Sequence, residues 1–337
     1  MQDLITLWVS LLASLAVIVV AGARLSRYGD IIAEKSGLSR SWVGLILLAT
    51  VTSLPELVTG LTSVTVANVP DIAVGDIMGS CVFNLLIIVL LDFLYRKESV
   101  YTRARQGNVL SAGYGIALIG FAGFNLLLYR DGAIPSLGHV GLYTPVILLL
   151  YLLAMRSLYR YEQASLSEYV EDRVELHPGV SLKRAVQGYV IAAIAVVAAG
   201  IWLPFIARDL AAAMAWEQSF VGTLIVAAVT SAPEIVVTVA ALRMGAVDLA
   251  IGNLFGSNLF NIAILAIDDL FYLHGPLLAH VSIVHAASAF SAMMMSGLAV
   301  VGLVLRPVSR VFRTVSWISL LLLVIYLLNM LFLYLHG

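Results

Sequence analysis

Cysteine is almost missing from this chain. Of its 337 residues only Cys81 is one, so no intrachain disulfide can form. Charge is scarce as well. Asp, Glu, Lys and Arg make up 12% of the residues against 61% hydrophobic ones, where soluble domains carry about 25% charged residues. Mean hydropathy is +1.00. A soluble globule of this size cannot hide that much apolar surface. The chain therefore reads as an all-α integral membrane protein. Its apolar runs have the length of about 20 residues that a helix needs to cross the hydrocarbon layer, and the period-two alternation of a membrane β-barrel is missing. Motifs for lipidation, nucleic-acid binding and His-Glu-x-x-His metal hydrolysis are missing too, and no Ser–His or paired-Asp arrangement points to an enzyme. The first run, Leu4–Ala23, lacks a cationic flank and reads as a true span rather than a cleaved signal.

What is present is a series of ten apolar runs, near 4–24, 41–66, 70–94, 108–129, 138–158, 186–207, 219–243, 246–271, 280–305 and 314–335. The polar stretch 159–184 divides them into five and five. Of the 19 Lys and Arg residues, all but Arg130 and Arg208 fall in loops after odd-numbered spans. Such a bias marks the cytoplasmic side. It predicts a cell-membrane protein with both termini outside and the central loop cytoplasmic.

Two segments repeat each other. Val43–Asn84 contains VTSLPE and GDIMGSCVFN; Val221–Asn261 contains VTSAPE and GNLFGSNLFN. The likeness reaches back to Ala21-Gly22 and Ala199-Gly200. An odd number of spans per copy turns the second copy upside down. The expected organisation is a first five-helix half over 1–160, a linker over 161–184 and an inverted second half over 185–337. Inverted repeats are a transporter architecture with the binding site at the midplane.

Glu56 and Glu234 fall near the middle of their spans, where a charge costs about 2.5–3.5 kcal/mol on insertion scales. No Lys or Arg lies deep in any span to neutralise them. Their partner must then be a proton or a bound cation. Thr52 and Thr230 precede the glutamates by one turn, and Ser53 and Ser231 by three residues. In the next span of each half, Ser80 and Asn84, and Ser257 and Asn261, share a helix face. These are oxygen donors of the kind hard cations take in sets of six to eight. No histidine joins them, which disfavours soft or borderline metals. Pro55 and Pro233 cannot bond the carbonyls of Val51 and Val229, so both central spans should be broken there.

These motifs resemble those of the calcium/cation antiporter superfamily, most closely its sodium/calcium exchanger branch, and the resemblance spans essentially the whole chain. It implies ten helices in two inverted repeats with broken central helices. It implies exchange of Na⁺ for Ca²⁺ by alternating access, with spans one and six moving against the rest. It further implies that Glu56 and Glu234 bind both ions, with Thr52, Ser53, Ser80, Thr230, Ser231 and Ser257 as hydroxyl ligands. Asn84 and Asn261 fall at ligand positions, and the carbonyls of Ala49 and Ala227 would serve Na⁺. The central loop is too short for the regulatory domains of larger exchangers.

The chain departs from the pattern at Val51 and Val229, where glycine is usual, and at Cys81. Asn261 stands where an aspartate is often found, and Asp76 where asparagine is common. Asp76 lies one turn before Ser80, either as a third carboxylate ligand or as a helix-start residue. Proton-coupled exchange on the same fold is the alternative, and a passive cation channel is the alternative of another class. No cofactor is expected beyond the transported ions. The lipid bilayer is the expected surrounding, and no nucleic-acid partner is expected. Oligomeric state is left open. Asp92 and Asp269 occupy matching positions at span ends and read as interfacial, with Arg96 as a partner for Asp92. His280 and His285 read as packing residues, and the acidic run from Glu162 to Glu175 as a solvated loop.

Overall fold

Apolar runs become helices here because a backbone in hydrocarbon must satisfy its own N–H and C=O groups. A computed structural model describes residues 3–35, 51–103, 106–129, 135–166, 179–307, 309–311 and 314–336. The helices in chain order are α1 (Leu4–Lys35), α2 (Leu54–Thr62), α3 (Pro70–Leu94), α4 (Gln106–Tyr129), α5 (Tyr143–Leu166), α6 (Leu182–Met214), α7 (Gln218–Val221), α8 (Ala227–Thr230), α9 (Ala232–Arg243), α10 (Val247–Phe271), α11 (His285–Leu305) and α12 (Trp317–His336). Among the described residues seven helices are long and apolar enough to cross a membrane; an eighth span is a pair bent by 43° between Thr230 and Ala232. The protein is a multi-pass membrane protein.

Local chemistry sets the ends and breaks. Pro55 and Pro233 each sit in the first turn of a helix, where the missing N–H costs nothing, and Ser53 and Ser231 ahead of them leave helical geometry at ψ 15° and 8°. Wide π-type turns follow α2 at Ser63–Ala67 and precede α8 at Gly222–Val226. Pro70 starts α3. Ser181 caps α6 by accepting the Arg184 N–H at 3.3 Å.

Several boundaries differ from the hydropathy reading. α1 continues past 24 to Lys35, and α5 past 158 to Leu166. Hydropathy falls there because cationic and polar side chains appear, but Arg and Lys can extend a helix into the headgroup layer. α6 begins at Leu182, so the inter-half stretch is shorter than 159–184. α11 begins at His285, because 277–279 form a short 3₁₀ turn first.

One large core joins α3, α4, α5, α10, α11 and α12. A second, smaller cluster lies under α1 and α6, which pack along each other. Their outer faces present bare apolar side chains such as Leu12, Ile191 and Ile194. Such faces suit lipid rather than water.

Two carboxylates fasten the ends of the central helices. Asp92, at the end of α3, accepts Ser99 Oγ (3.0 Å), Val100 N–H (3.1 Å), Ser316 N–H (2.6 Å) and Ser319 Oγ (2.8 Å). Asp269, at the end of α10, accepts Gly141 N–H (2.9 Å), Tyr143 Oη (2.5 Å), Thr144 Oγ1 (2.5 Å) and Leu277 N–H (2.6 Å). Each ties its helix to a two-residue hairpin and to the helix after it: Arg310–Val311 with Val315–Ser316 before α12, and Ser136–Leu137 with Val140–Gly141 before α5. Both aspartates are fully buried, so the interfacial expectation is corrected. Arg96 stacks over the Phe93 ring at 4.9 Å instead, and the guanidinium nearest Asp92 is Arg310, at 4.0 Å. A carboxylate that accepts four hydrogen bonds needs no water, which is why it can leave the interface.

Candidate functional site

The two helix breaks meet at the centre of the molecule. Glu56 and Glu234 stand in the first turns of α2 and α9, at the positive ends of their helix dipoles. Thr52, Ser53, Glu56, Asp76, Ser80, Asn84, Ala227, Thr230, Ser231, Glu234, Ser257 and Asn261 are all buried. Ala49 lies outside the described residues.

The contacts cross between the two halves. Ser231 Oγ lies 3.1 Å from Glu56 Oε1, and Ser53 Oγ lies 3.3 Å from Glu234 Oε1. Each glutamate is thus met by the serine that precedes the other. Ser231 Oγ is also 2.9 Å from Ser80 Oγ. Ser257 Oγ is 3.4 Å from both Glu234 Oε1 and Thr52 Oγ1. Helices α3 and α10 supply the walls, and close approach to α3 depends on Gly79. A methyl there would fall 2.7 Å from the Thr223 Cα and 2.8 Å from the Ala227 Cβ.

Asp76 belongs to this cluster. Thr230 Oγ1 reaches its Oδ1 at 2.8 Å. It sits well inside α3, whose first-turn acid is Asp71, so the helix-start role falls to Asp71 and not to Asp76. Ala227 is placed differently from a free ligand. Its carbonyl accepts the Ser231 N–H at 3.0 Å and lies 3.3 Å from Thr230 Oγ1.

Unfilled capacity is concentrated here. Among the described residues, Glu56 Oε2, Glu234 Oε2 and Asp76 Oδ2 have no hydrogen-bond partner, nor do Asn84 Oδ1 or either amide atom of Asn261. Buried polar atoms are nearly always bonded, so a cluster of free oxygens marks a place for something else to bind. Three carboxylates face hydroxyls and amides, and no Lys, Arg or His bonds any of them among the described residues. The donor set is hard, anionic and oxygen-only, which suits Na⁺ or Ca²⁺.

Two asparagines missed from sequence also stand here. Asn253 is the internal counterpart of Asp76, and both its amide atoms are buried without partners. Asn258, the counterpart of Cys81, accepts Asn84 Nδ2 at 3.0 Å and donates to the Cys81 carbonyl at 3.1 Å. The repeat pairing alone pointed to both.

Helices α1 and α6 lie against the breaks through matched glycines. A methyl on Gly22 would sit 2.6 Å from Pro233 Cγ, and one on Gly200 would sit 3.0 Å from Val58 Cβ. Each long helix therefore rests with a smooth, side-chain-free spot on a glutamate-bearing helix.

Known proteins are similar to this chain in sequence and in fold. The chain is 29% identical to the inner membrane protein YrbG of Escherichia coli (strain K12) over 255 residues, covering 75% of this chain and 76% of that one. It is 50% identical to the sodium/calcium exchanger MaX1 of Methanosarcina acetivorans over 56 residues, 16% of each chain. The fold is shared with YfkE (TM-score 0.70, 18% identity, 98% of this chain and 92% of that one). It is shared too with the sodium-calcium exchanger NCX_Mj soaked with Na⁺ and Sr²⁺ (TM-score 0.64, 21% identity, 98% and 99%). The family model for sodium/calcium exchanger proteins matches residues 6–158 and 185–335. With both halves matched and the buried oxygen cluster between them, the chain belongs to the sodium/calcium exchanger protein family.

Proposed function

We propose that the protein is a secondary active cation antiporter that exchanges Na⁺ for Ca²⁺ by alternating access. The observation that carries this is the pair of buried glutamates in opposed helix breaks, each, among the described residues, with one oxygen unbonded and no cationic side chain bonded to it. A desolvated carboxylate of this kind needs a counter-ion. The names of MaX1 and NCX_Mj, both sodium/calcium exchangers, support Na⁺ and Ca²⁺ as the substrates.

The ligand set we infer centres on Glu56, Glu234 and Asp76. Hydroxyls of Thr52, Ser53, Ser80, Thr230, Ser231 and Ser257 surround them, with the side-chain oxygens of Asn84 and Asn261. Asp76 restores a third carboxylate that Asn261 withholds. Ala49 and Ala227 would add carbonyls for Na⁺, the latter only once its hydrogen bonds are released. One Ca²⁺ or two Na⁺ balance two of these three carboxylates, which lets the ions compete for one place, and the third would take a proton or a further cation.

Reciprocal contacts favour ten spans in two inverted halves. Ser53 meets Glu234 as Ser231 meets Glu56, Asp92 holds α12 as Asp269 holds α5, and Gly22 meets Pro233 as Gly200 meets the α2 segment. Both termini are placed outside and the 159–184 stretch in the cytoplasm, on the charge bias alone. Substrate ions would be held between the halves while α1 and α6 shift across the glutamate-bearing helices on their glycine contacts. Conduction by a passive channel would need no such paired seats.

The deciding experiment is ⁴⁵Ca²⁺ uptake into proteoliposomes loaded with Na⁺, compared with liposomes carrying only a pH gradient. Uptake that requires the outward Na⁺ gradient is expected. Uptake driven by the pH gradient alone would transfer the coupling to protons. Glu56→Gln and Glu234→Gln should each reduce uptake to the level of empty liposomes; normal transport by either variant would remove the site from this location.

A further inference from the structure

We propose that Asp268 is a proton-binding station of the transport pathway, set one helical turn beyond Glu56 on the seam between α2 and α10. It builds on the antiporter reading but uses a residue outside the ion cluster. The Asp268 side chain is fully buried, and neither carboxylate oxygen has a hydrogen-bond partner among the described residues. Its neighbour Asp269, by contrast, accepts four hydrogen bonds.

The carboxylate rests directly on Gly60. A methyl on that glycine would lie 2.9 Å from Asp268 Oδ1 and 3.0 Å from its carboxyl carbon, and closer still to Oδ2. Gly60 follows Glu56 by four residues, so the two share one face of the same helix run. Asp268 therefore continues the line of Glu56 toward the end of the helix pair that lies away from the cationic loops.

Among the described residues, the charged groups beside it are carboxylates. Asp76 of α3 and Asp269 of its own helix are the charged groups whose fields reach it. From α2 it is met by Gly60. His139 meets the Leu270 carbonyl at 3.1 Å at the exposed end of α10. A bare carboxylate in this place is costly. A metal cation would need further oxygens, and no hydroxyl or amide bonds this carboxylate among the described residues. A proton needs only the one oxygen.

The related half shows that the fold does not require this acid. Four residues after Glu234 stands Thr238, which donates to the Glu234 carbonyl, and seven after Asn84, matching Asp268 after Asn261, stands the apolar Leu91. The acid is thus present on one side of the central site and not on the other, as a directional station would be. A cation bound at Asp76 would offset the negative charge that Asp76 presents to Asp268, and its departure would restore that charge. Proton occupancy of Asp268 is in this way tied to the cation site.

The test uses the purified full chain in lipid nanodiscs. Infrared difference spectra are recorded while pH is raised, and again on adding Ca²⁺, for wild type, Asp268→Asn and Gly60→Ala. A carboxylic-acid C=O band that titrates with pH and responds to Ca²⁺ is expected in wild type. Asp268→Asn should lack it, and Gly60→Ala, which keeps the acid but crowds it, should shift it. A titrating band unchanged in Asp268→Asn would overturn the proposal, as would an Asp268 band insensitive to both pH and Ca²⁺, the mark of a permanently neutral packing group. A wild-type protein that binds neither Ca²⁺ nor Na⁺ would sink the antiporter reading instead, and the pH-driven band would still decide Asp268.

Discussion

At the scale of single residues, the position of a carboxylate matters less than what it lacks. Asp92 and Asp269 are as buried as Glu56 and Glu234, yet their oxygens are filled by four donors each, while the glutamates keep one oxygen free. Asp76 stands with the glutamates. Asp76→Asn should keep the Thr230 contact and lower apparent Ca²⁺ affinity by about tenfold or more, the order seen when groups around a metal are removed; ⁴⁵Ca²⁺ uptake against Ca²⁺ concentration would show it. Asn261→Asp adds a carboxylate where both amide atoms are unpartnered. It should change the Na⁺ dependence of uptake, and an unchanged dependence would place residue 261 away from the ions. Much of this was legible in sequence. A Glu in the middle of an apolar span, repeated with its Thr, Ser and Pro, can hardly be lipid-facing. Asp268 was not legible. It lies beside Asp269 near a span end, where acids ordinarily meet water, and only the packing of Gly60, distant in sequence, reveals its burial. Asn253 stayed hidden for another reason: an uncharged amide carries no cost large enough to stand out in an apolar run.

At the scale of elements, proline and glycine decide what the helices can do. Proline breaks α2 and α9 at the glutamates, and this was readable because Pro removes a particular hydrogen bond. The wide turns at Ser63–Ala67 and Gly222–Val226 were not readable, because no residue in them is forbidden to an ordinary helix. The hairpins before α5 and α12 escaped for a similar reason. Strands of two residues have no period to detect, and it is the carboxylates of Asp269 and Asp92 that hold them. Asp92→Ala should then strand two backbone N–H groups and two hydroxyls. Unsatisfied buried groups cost about 1–3 kcal/mol each, so a clear drop in the thermal midpoint in detergent is expected. Transport per folded molecule should change far less, since the partners of Asp92 are not members of the proposed ion site. Gly79→Val tests the opposite quality, tightness. Overpacking costs about 1–3 kcal/mol, and here the added atoms would press on Thr223 and Ala227 beside the site. Both stability and uptake should fall together, as measured by thermal unfolding and by ⁴⁵Ca²⁺ uptake on the same preparation.

At the scale of the whole molecule, the sequence carries two global signals, a repeat and a charge bias, and they constrain each other. With five spans in each half, as proposed, the second half would run opposite to the first, and the bias would say which way the first half runs. α10 makes this testable with two positions. It spans Val247–Phe271, and at about 1.5 Å per residue its 25 residues can cross the hydrocarbon layer. Met244 just before it and Leu273 just after it are both strongly exposed. Cys81, the single native thiol, is buried, so it adds little background and can be replaced by alanine. With Met244→Cys and Leu273→Cys made separately, a membrane-impermeant maleimide applied to intact cells should label the Leu273 position and spare the Met244 position, which should react only after the membrane is opened. The opposite pattern would invert the molecule. It would leave the proposed ion site intact, because the Glu56–Glu234 cluster is formed by contacts between halves, but it would put Asp268 on the cytoplasmic side of Glu56. Labelling of both positions in intact cells would mean that α10 does not span, and the pairing of the two halves around a central site would fail with it.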